Sequence, residues 1–264
     1  MNTWQRILGT VAAAGSLTFI ALPAATAAPS PAPYVCSGGA IASGSYSSLT
    51  VKGDCRVAAD AMVRVSGNVT VLAGAALDAQ SAPATVTVKG NVTAAKGSFV
   101  GLGCQSPADT GNSAHPCAEN PQGRSDIAVG GNVTLNAPFA VMLNAPFAVM
   151  LNGIDVDQNV TVTGGGSPVP WTVKNSTIGG DLTMTGVTTD WLGINFNTIA
   201  GNVTLTGLTF TGTDDASGSG ANDLFVVRNR IDRSLTCVGV KPGVFGYGNQ
   251  VGRNAVGQCT PLAQ

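Results

Sequence analysis

Val129-Gly130-Gly131-Asn132-Val133-Thr134-Leu135 is the stretch from which the rest of the chain can be read. An apolar β-branched residue is followed by Gly-Asn and then by an alternating Val-Thr-Leu. The unit also stands at Val65-Ser66-Gly67-Asn68-Val69-Thr70-Val71 and at Val88-Lys89-Gly90-Asn91-Val92-Thr93. It recurs over 156–162 with Gln158 in place of Gly, over 178–184 with Asp181 and Leu182, and over 199–205. Weaker copies begin at Ile231, leading to Leu235-Thr236-Cys237, and at Val251; Ser47-Ser48-Leu49-Thr50-Val51 is a degenerate first copy.

The leading apolar residues fall at 65, 88, 129, 156, 178, 199, 231 and 251, giving gaps of 23, 41, 27, 22, 21, 32 and 20. The basic period is therefore 20–23 residues, and each exception has a visible cause. The gap of 41 contains the polar segment Gly103 to Gly123, and the gap of 32 contains the loop-like run Gly212 to Asn222. The gap of 27 contains an exact duplication, Asn136 to Leu143 repeated as Asn144 to Leu151. An insertion of even length preserves which side chains face inward. One copy is expected to continue the strand, and an extruded Phe139 or Phe147 would leave an apolar bump.

A period near 20 with alternation inside each unit excludes helical solenoids, whose repeats run to about 33 residues and need amphipathic helices. Each unit reads as one coil of an all-β parallel β-helix, with residues such as Val160 and Val162 inward and Thr161 and Thr163 outward. Gly67 and its equivalents are expected to permit the bend. The Asn that follows is expected to tolerate a left-handed conformation and to bond the Asn of the adjoining coil. Nine copies make roughly nine coils, a rod of about 45 Å at a spacing of about 4.8 Å. The ends of such a rod need caps.

Composition agrees with that reading and narrows the partners. Charged residues are 10% of the chain and the net charge is -1, so no basic stripe exists to follow phosphates and nucleic acid is an unsuited partner. At the N-terminus, Arg6, the apolar run Ile7 to Leu22 and Ala25-Thr26-Ala27 form a signal peptide over residues 1–27. A Pro-rich linker, 28–34, leads into a single β-helix domain, 35–264. The expected product is secreted, with no membrane insertion after cleavage. Six cysteines in an exported chain read as disulfides. They fall in sequential pairs, Cys36–Cys55, Cys104–Cys117 and Cys237–Cys259, separated by 19, 13 and 22 residues. The first and last would close about one coil at each end. With His115 the sole histidine and no C-x-x-C, neither a metal site nor a cofactor is expected.

The Gly-Asn-Val-Thr repeats, the opening Cys36-Ser37-Gly38, the segment Gly101-Leu102-Gly103-Cys104 and the closing Asn249-Gln250-Val251-Gly252 to Gly257-Gln258-Cys259 resemble uncharacterised secreted right-handed β-helix proteins of actinomycete-type bacteria. The resemblance covers about Cys36 to Cys259. It implies a right-handed parallel β-helix and an exported location, and it carries no assigned activity and no functional residues. The second octapeptide copy departs from its pattern.

One flank has the composition of a sugar-binding groove. Trp171, Trp191 and Phe225 lie 7, 8 and 6 positions before Ile178, Ile199 and Ile231, and are expected to stack on successive coils. Lys174, Asn195 and Arg228 lie 4, 4 and 3 before; Asp190 and Asp223 lie 9 and 8 before. Carboxylates on adjacent coils would sit about 5 Å apart, as in retaining glycosidases, so Asp190 and Asp223 are the catalytic candidates. The bland alternative is a buried aromatic stack with Asp in turns and solvated cations. The leading expectation is a non-catalytic extracellular or cell-envelope protein whose partner is cell-wall or other extracellular polysaccharide. A carbohydrate-active enzyme is the first alternative. The second is ice binding through the T-x-T rows Thr161/Thr163, Thr183/Thr185 and Thr204/Thr206. Asp214-Asp215 reads as a solvated turn and Gly164-Gly165-Gly166 as a loop without phosphate-binding context. The Asn-Val-Thr copies read as coil structure rather than glycosylation sites.

Overall fold

The computed structural model describes residues 30–138, 149–167, 171–212 and 223–263. The expected signal peptide over residues 1–27, Phe139, Phe147, Asp214 and Asp215 lie outside the described residues. Residues 31–264 form one compact unit.

Among the described residues, successive coils place their strands in three long parallel sheets. The first has ten strands, from Tyr34–Cys36 to Ala255–Gly257. The second has nine, from Gly39–Ile41 to Gly243–Tyr247, and the third nine, from Gly44–Tyr46 to Gln250–Val251. A short sheet of three strands, Gly166–Ser167, Thr188–Thr189 and Thr209–Phe210, lies between the first and second in chain order. This is a β-solenoid. The repeated unit spans the corner between the third and first sheets: Val65 ends a third-sheet strand, Gly67-Asn68 turn, and Val69–Val71 enter the first sheet. Register follows the repeat, with Val69 level with Val92, Val92 with Val133 and Val133 with Val160. The degenerate copy is a true coil, since Leu49 pairs with Val69; Tyr34–Cys36 precedes it as a strand the repeat did not reveal.

The corner works differently from the expectation. Gly90 and Gly131 do not have positive φ. They are needed because a Cβ would stand 2.6 Å and 2.7 Å from the carbonyl oxygens of Gly67 and Gly90 one coil below. The ladder asparagines are not left-handed either. The Asn–Asn bonding is present: the Asn91 and Asn132 backbone N–H groups donate to Oδ1 of Asn68 and Asn91, each at 2.8 Å. Asp181 takes the same place, accepting from the Asn202 N–H at 2.6 Å.

A second ladder was not anticipated. Asn197, Asn229 and Asn249 are buried at the corner between the second and third sheets. Asn229 accepts from the Asn197 N–H and side-chain amide, both at 3.0 Å, and donates to Ile194 O at 2.7 Å and to Asn249 Oδ1 at 2.9 Å. Each amide thereby satisfies backbone groups that the bend leaves without sheet partners.

The three irregularities fall where the gaps placed them. Residues 103–125 leave after the second-sheet strand Phe99–Leu102 and return as the third-sheet strand Asp126–Val129. The duplication follows the first-sheet strand Val133–Asn136, and its second copy supplies Val149–Asn152, with Leu151 buried in the core. All three expected disulfides are formed.

Candidate functional site

The outward face of the second sheet is finished in two ways. Over its earlier coils lies the 103–125 segment, pinned by Cys104–Cys117, both fully buried. Lys174 Nζ donates to Ala114 O at 3.0 Å, and the Asn175 amide donates to Ser113 O at 3.0 Å. Glu119 N–H donates to Ser81 O at 2.8 Å and its carboxylate pairs with Arg56. Lys174 is therefore a strut beneath a loop and not part of an open groove. Burial pulls its pKa down to about 8. His115 is pulled down to about 4, chiefly by burial and then by the Lys174 charge, with Asp78 opposing.

Over the last coils the same face is aromatic, and among the described residues no segment lies over it. Trp191 meets Phe225 edge-on at 5.9 Å between ring centroids, Phe225 meets Phe245 at 5.7 Å, and Phe245 meets Tyr247 at 6.5 Å. Phe245 and Tyr247 are 51% and 48% exposed. The Arg228 guanidinium lies 5.7 Å from the Tyr247 ring centre. Gly193 makes room: a Cβ there would stand 2.9 Å from the Trp191 ring and 2.5 Å from the Asn195 amide, so both neighbours fold across the glycine. Asn195 spends its amide locally; with its nitrogen facing the carbonyls it donates to Ile194 O at 2.9 Å and Phe225 O at 3.2 Å.

The expected aromatic stack is corrected in one member. Trp171 pairs with Leu192, not Trp191, and is fully buried in the core. Offsets of 7, 8 and 6 had been treated as equivalent, but one residue of slip turns a side chain to the other face of a strand. Position seven faces inward, as in Trp171, Leu192 and Leu224. Position six faces outward, and Phe245 stands six before Val251 as Phe225 stands six before Ile231. That shared offset was a readable signal for Phe245, and it was missed. Lys174 is level with Asn195 as expected, but Val227, not Arg228, continues their row. Arg228 stands at the corner.

The same slip affects the carboxylates. With Leu192 level with Leu224, Asp223 falls level with Trp191 rather than Asp190. The Asp223 side chain lies outside the described residues. Among the described residues no group of three or more His, Cys, Asp or Glu side chains is placed to hold a metal ion.

The first sheet presents a different surface. Thr50, Thr70, Thr93 and Thr134 continue in register through Thr161, Thr183, Thr204 and Thr236, an unbroken outward column over eight coils. Thr163, Thr185 and Thr206 form a second column beside it.

No protein-family model, no curated protein and no solved structure matches the chain.

Proposed function

We propose that the chain is a secreted, non-catalytic β-solenoid that binds extracellular or cell-wall glycan through the aromatic strip Trp191, Phe225, Phe245 and Tyr247. The observation that carries the reading is this ladder of rings, half open to water on a rigid sheet. Large apolar side chains left exposed in a contiguous row mark interaction surfaces, and aromatic faces suit the apolar faces of sugar rings. The rings are pre-positioned by strand register, so binding would order little. Secretion is supported by the signal-like residues 1–27 and by three disulfides, which persist in oxidising compartments. Among the described residues no helix is long and apolar enough to cross a membrane. Right-handed coiling is supported by the general preference of parallel crossover connections.

Retention of the purified protein on cell wall and on a glycan panel tests the reading. Phe245→Ala is expected to weaken retention about tenfold, equivalent to roughly 1.4 kcal/mol. Parent protein that passes unretarded over every glycan overturns it.

The threonine column favours a second reading, ice binding. Strand pairing fixes its hydroxyl and methyl groups at about 4.8 Å intervals, and charge is sparse beside it. Thermal hysteresis in the parent, abolished by Thr183→Lys and kept by Phe245→Ala, is the expected result. Its absence from concentrated parent protein excludes the reading.

A further inference from the structure

We propose that the aromatic strip takes an anionic polysaccharide, and that Arg228 recognises the carboxylate or sulfate groups that polymer carries. The proposal rests on the glycan reading of the strip and adds the ligand's charge and the residue that reads it.

The corner between the second and third sheets passes through the left-handed region in five consecutive coils, at Gly153 (φ 65°), Asn175 (φ 54°), Phe196 (φ 59°), Arg228 (φ 51°) and Gly248 (φ 66°). Asn and Gly adopt this conformation at low cost, whereas Phe and Arg do not. The two unfavourable residues border the aromatic half of the face, and both side chains are exposed, Phe196 by 38%. Neither is repaid by burial. Bulky residues held in strained conformations without a packing reason gather at functional sites. Phe196 stands exposed at the corner one coil before Arg228, and Arg228 sets a charge against Tyr247 of the strip.

Charge distribution points the same way. Residues 223–263 contain Arg228, Arg230, Arg233, Lys241 and Arg253 against two acids, Asp223 and Asp232, in a chain of net charge -1. Arg230 is answered by Asp232 at 3.1 Å. Arg228 has no ion pair among the described residues; the Tyr247 ring steadies its guanidinium and leaves its edge toward solvent. A planar guanidinium at the rim of this edge-on ring ladder can bond a carboxylate or sulfate through two parallel N–H groups while the rings hold the sugar.

The test measures affinity of the purified protein for polygalacturonate, dextran sulfate and uncharged dextran and xylan. The expected result is anionic polymer bound about tenfold more tightly than neutral polymer, weakening as salt rises. Preference for polygalacturonate assigns a carboxylate; preference for dextran sulfate assigns a sulfate. Arg228→Gly is expected to weaken anionic binding about tenfold and so to remove that preference. Glycine already occupies this corner in the following coil, so the variant keeps the fold, which circular dichroism verifies. Arg228→Lys should restore part of the preference. Equal binding of neutral and charged polymers, or parent-like affinity in Arg228→Gly, overturns the proposal. If neutral polymer binds tightly and Phe245→Ala abolishes it, the glycan reading stands while the anionic one falls; if no polymer binds, both fall.

Discussion

The second sheet has one outward face with two halves, and they are secured by different means. The earlier half is covered: the 103–125 segment lies over it, tied by Cys104–Cys117 and by bonds from Lys174 and Asn175. The later half carries no cover among the described residues, with Trp191, Phe225, Phe245 and Tyr247 outward, and its support lies inside, in the buried ladder Asn197–Asn229–Asn249. Where Asn197 stands the preceding coil has Ser176, whose N–H still donates to Asn197 Oδ1 at 3.1 Å. The difference teaches that a sheet face can stay open to a ligand when its rigidity comes from beneath.

The largest effect should come from breaking the inner support. Asn229→Leu leaves the Asn197 N–H without its acceptor and takes from the Asn197 amide, Ile194 O and Asn249 Oδ1 one bond each. A loss of about 4 kcal/mol is expected, from one unsatisfied buried N–H and three further buried hydrogen bonds. Denaturant melts would read it, and glycan binding should fall with it. A loss near the 1 kcal/mol typical of one hydrogen bond would mean the ladder is not the support.

Removing the outer support should cost less and should act only on the covered half. Cys104→Ser with Cys117→Ser is expected to lower stability by about 3 kcal/mol, the value for a short closed loop. It should also open the 103–125 segment to limited proteolysis while the strip keeps its ligand. Equal loss of glycan binding would show that the halves are not independent.

Acid offers a milder version of the same cut. His115 has a folded pKa of about 4, below its ordinary 6.5. Between those values the unfolded chain binds a proton that the folded chain refuses, so stability is full above pH 6.5 and is lost as pH falls toward 4. A loss of about 2 kcal/mol, discounted for partial exposure, should appear in melts and be absent from His115→Gln. Lys174 acts in the opposite range: with a folded pKa of about 8 against 10.5, the fold gains stability as pH rises between them.

The coil and its disulfides were legible because Gly-Asn-Val-Thr sits on a corner and in the first sheet, where spacing is nearly constant. Side-chain facing in the second sheet was less legible. No motif marks its strands, so Trp171 was assigned to the surface by counting from Ile178 without regard to parity. The buried ladder had a signal that was passed over: Asn197, Asn229 and Asn249 each stand two before Ile199, Ile231 and Val251. Periodic Asn beside a β-branched residue reads as turn chemistry on either side of a bend, and only depth separates a buried ladder from an exposed one. The cover formed by 103–125 could not be read, because an insertion's length does not say which face it folds over.

All three interruptions of the period border second-sheet strands: 103–125 follows one, and the octapeptide copy and 212–222 each precede one. The neighbouring coils keep their register across each of them. A scaffold with this property can take on new segments along the borders of one face while its core sequence stays under no pressure to change. That face is then free to diversify by insertion, and the same borders are the natural places to graft foreign loops.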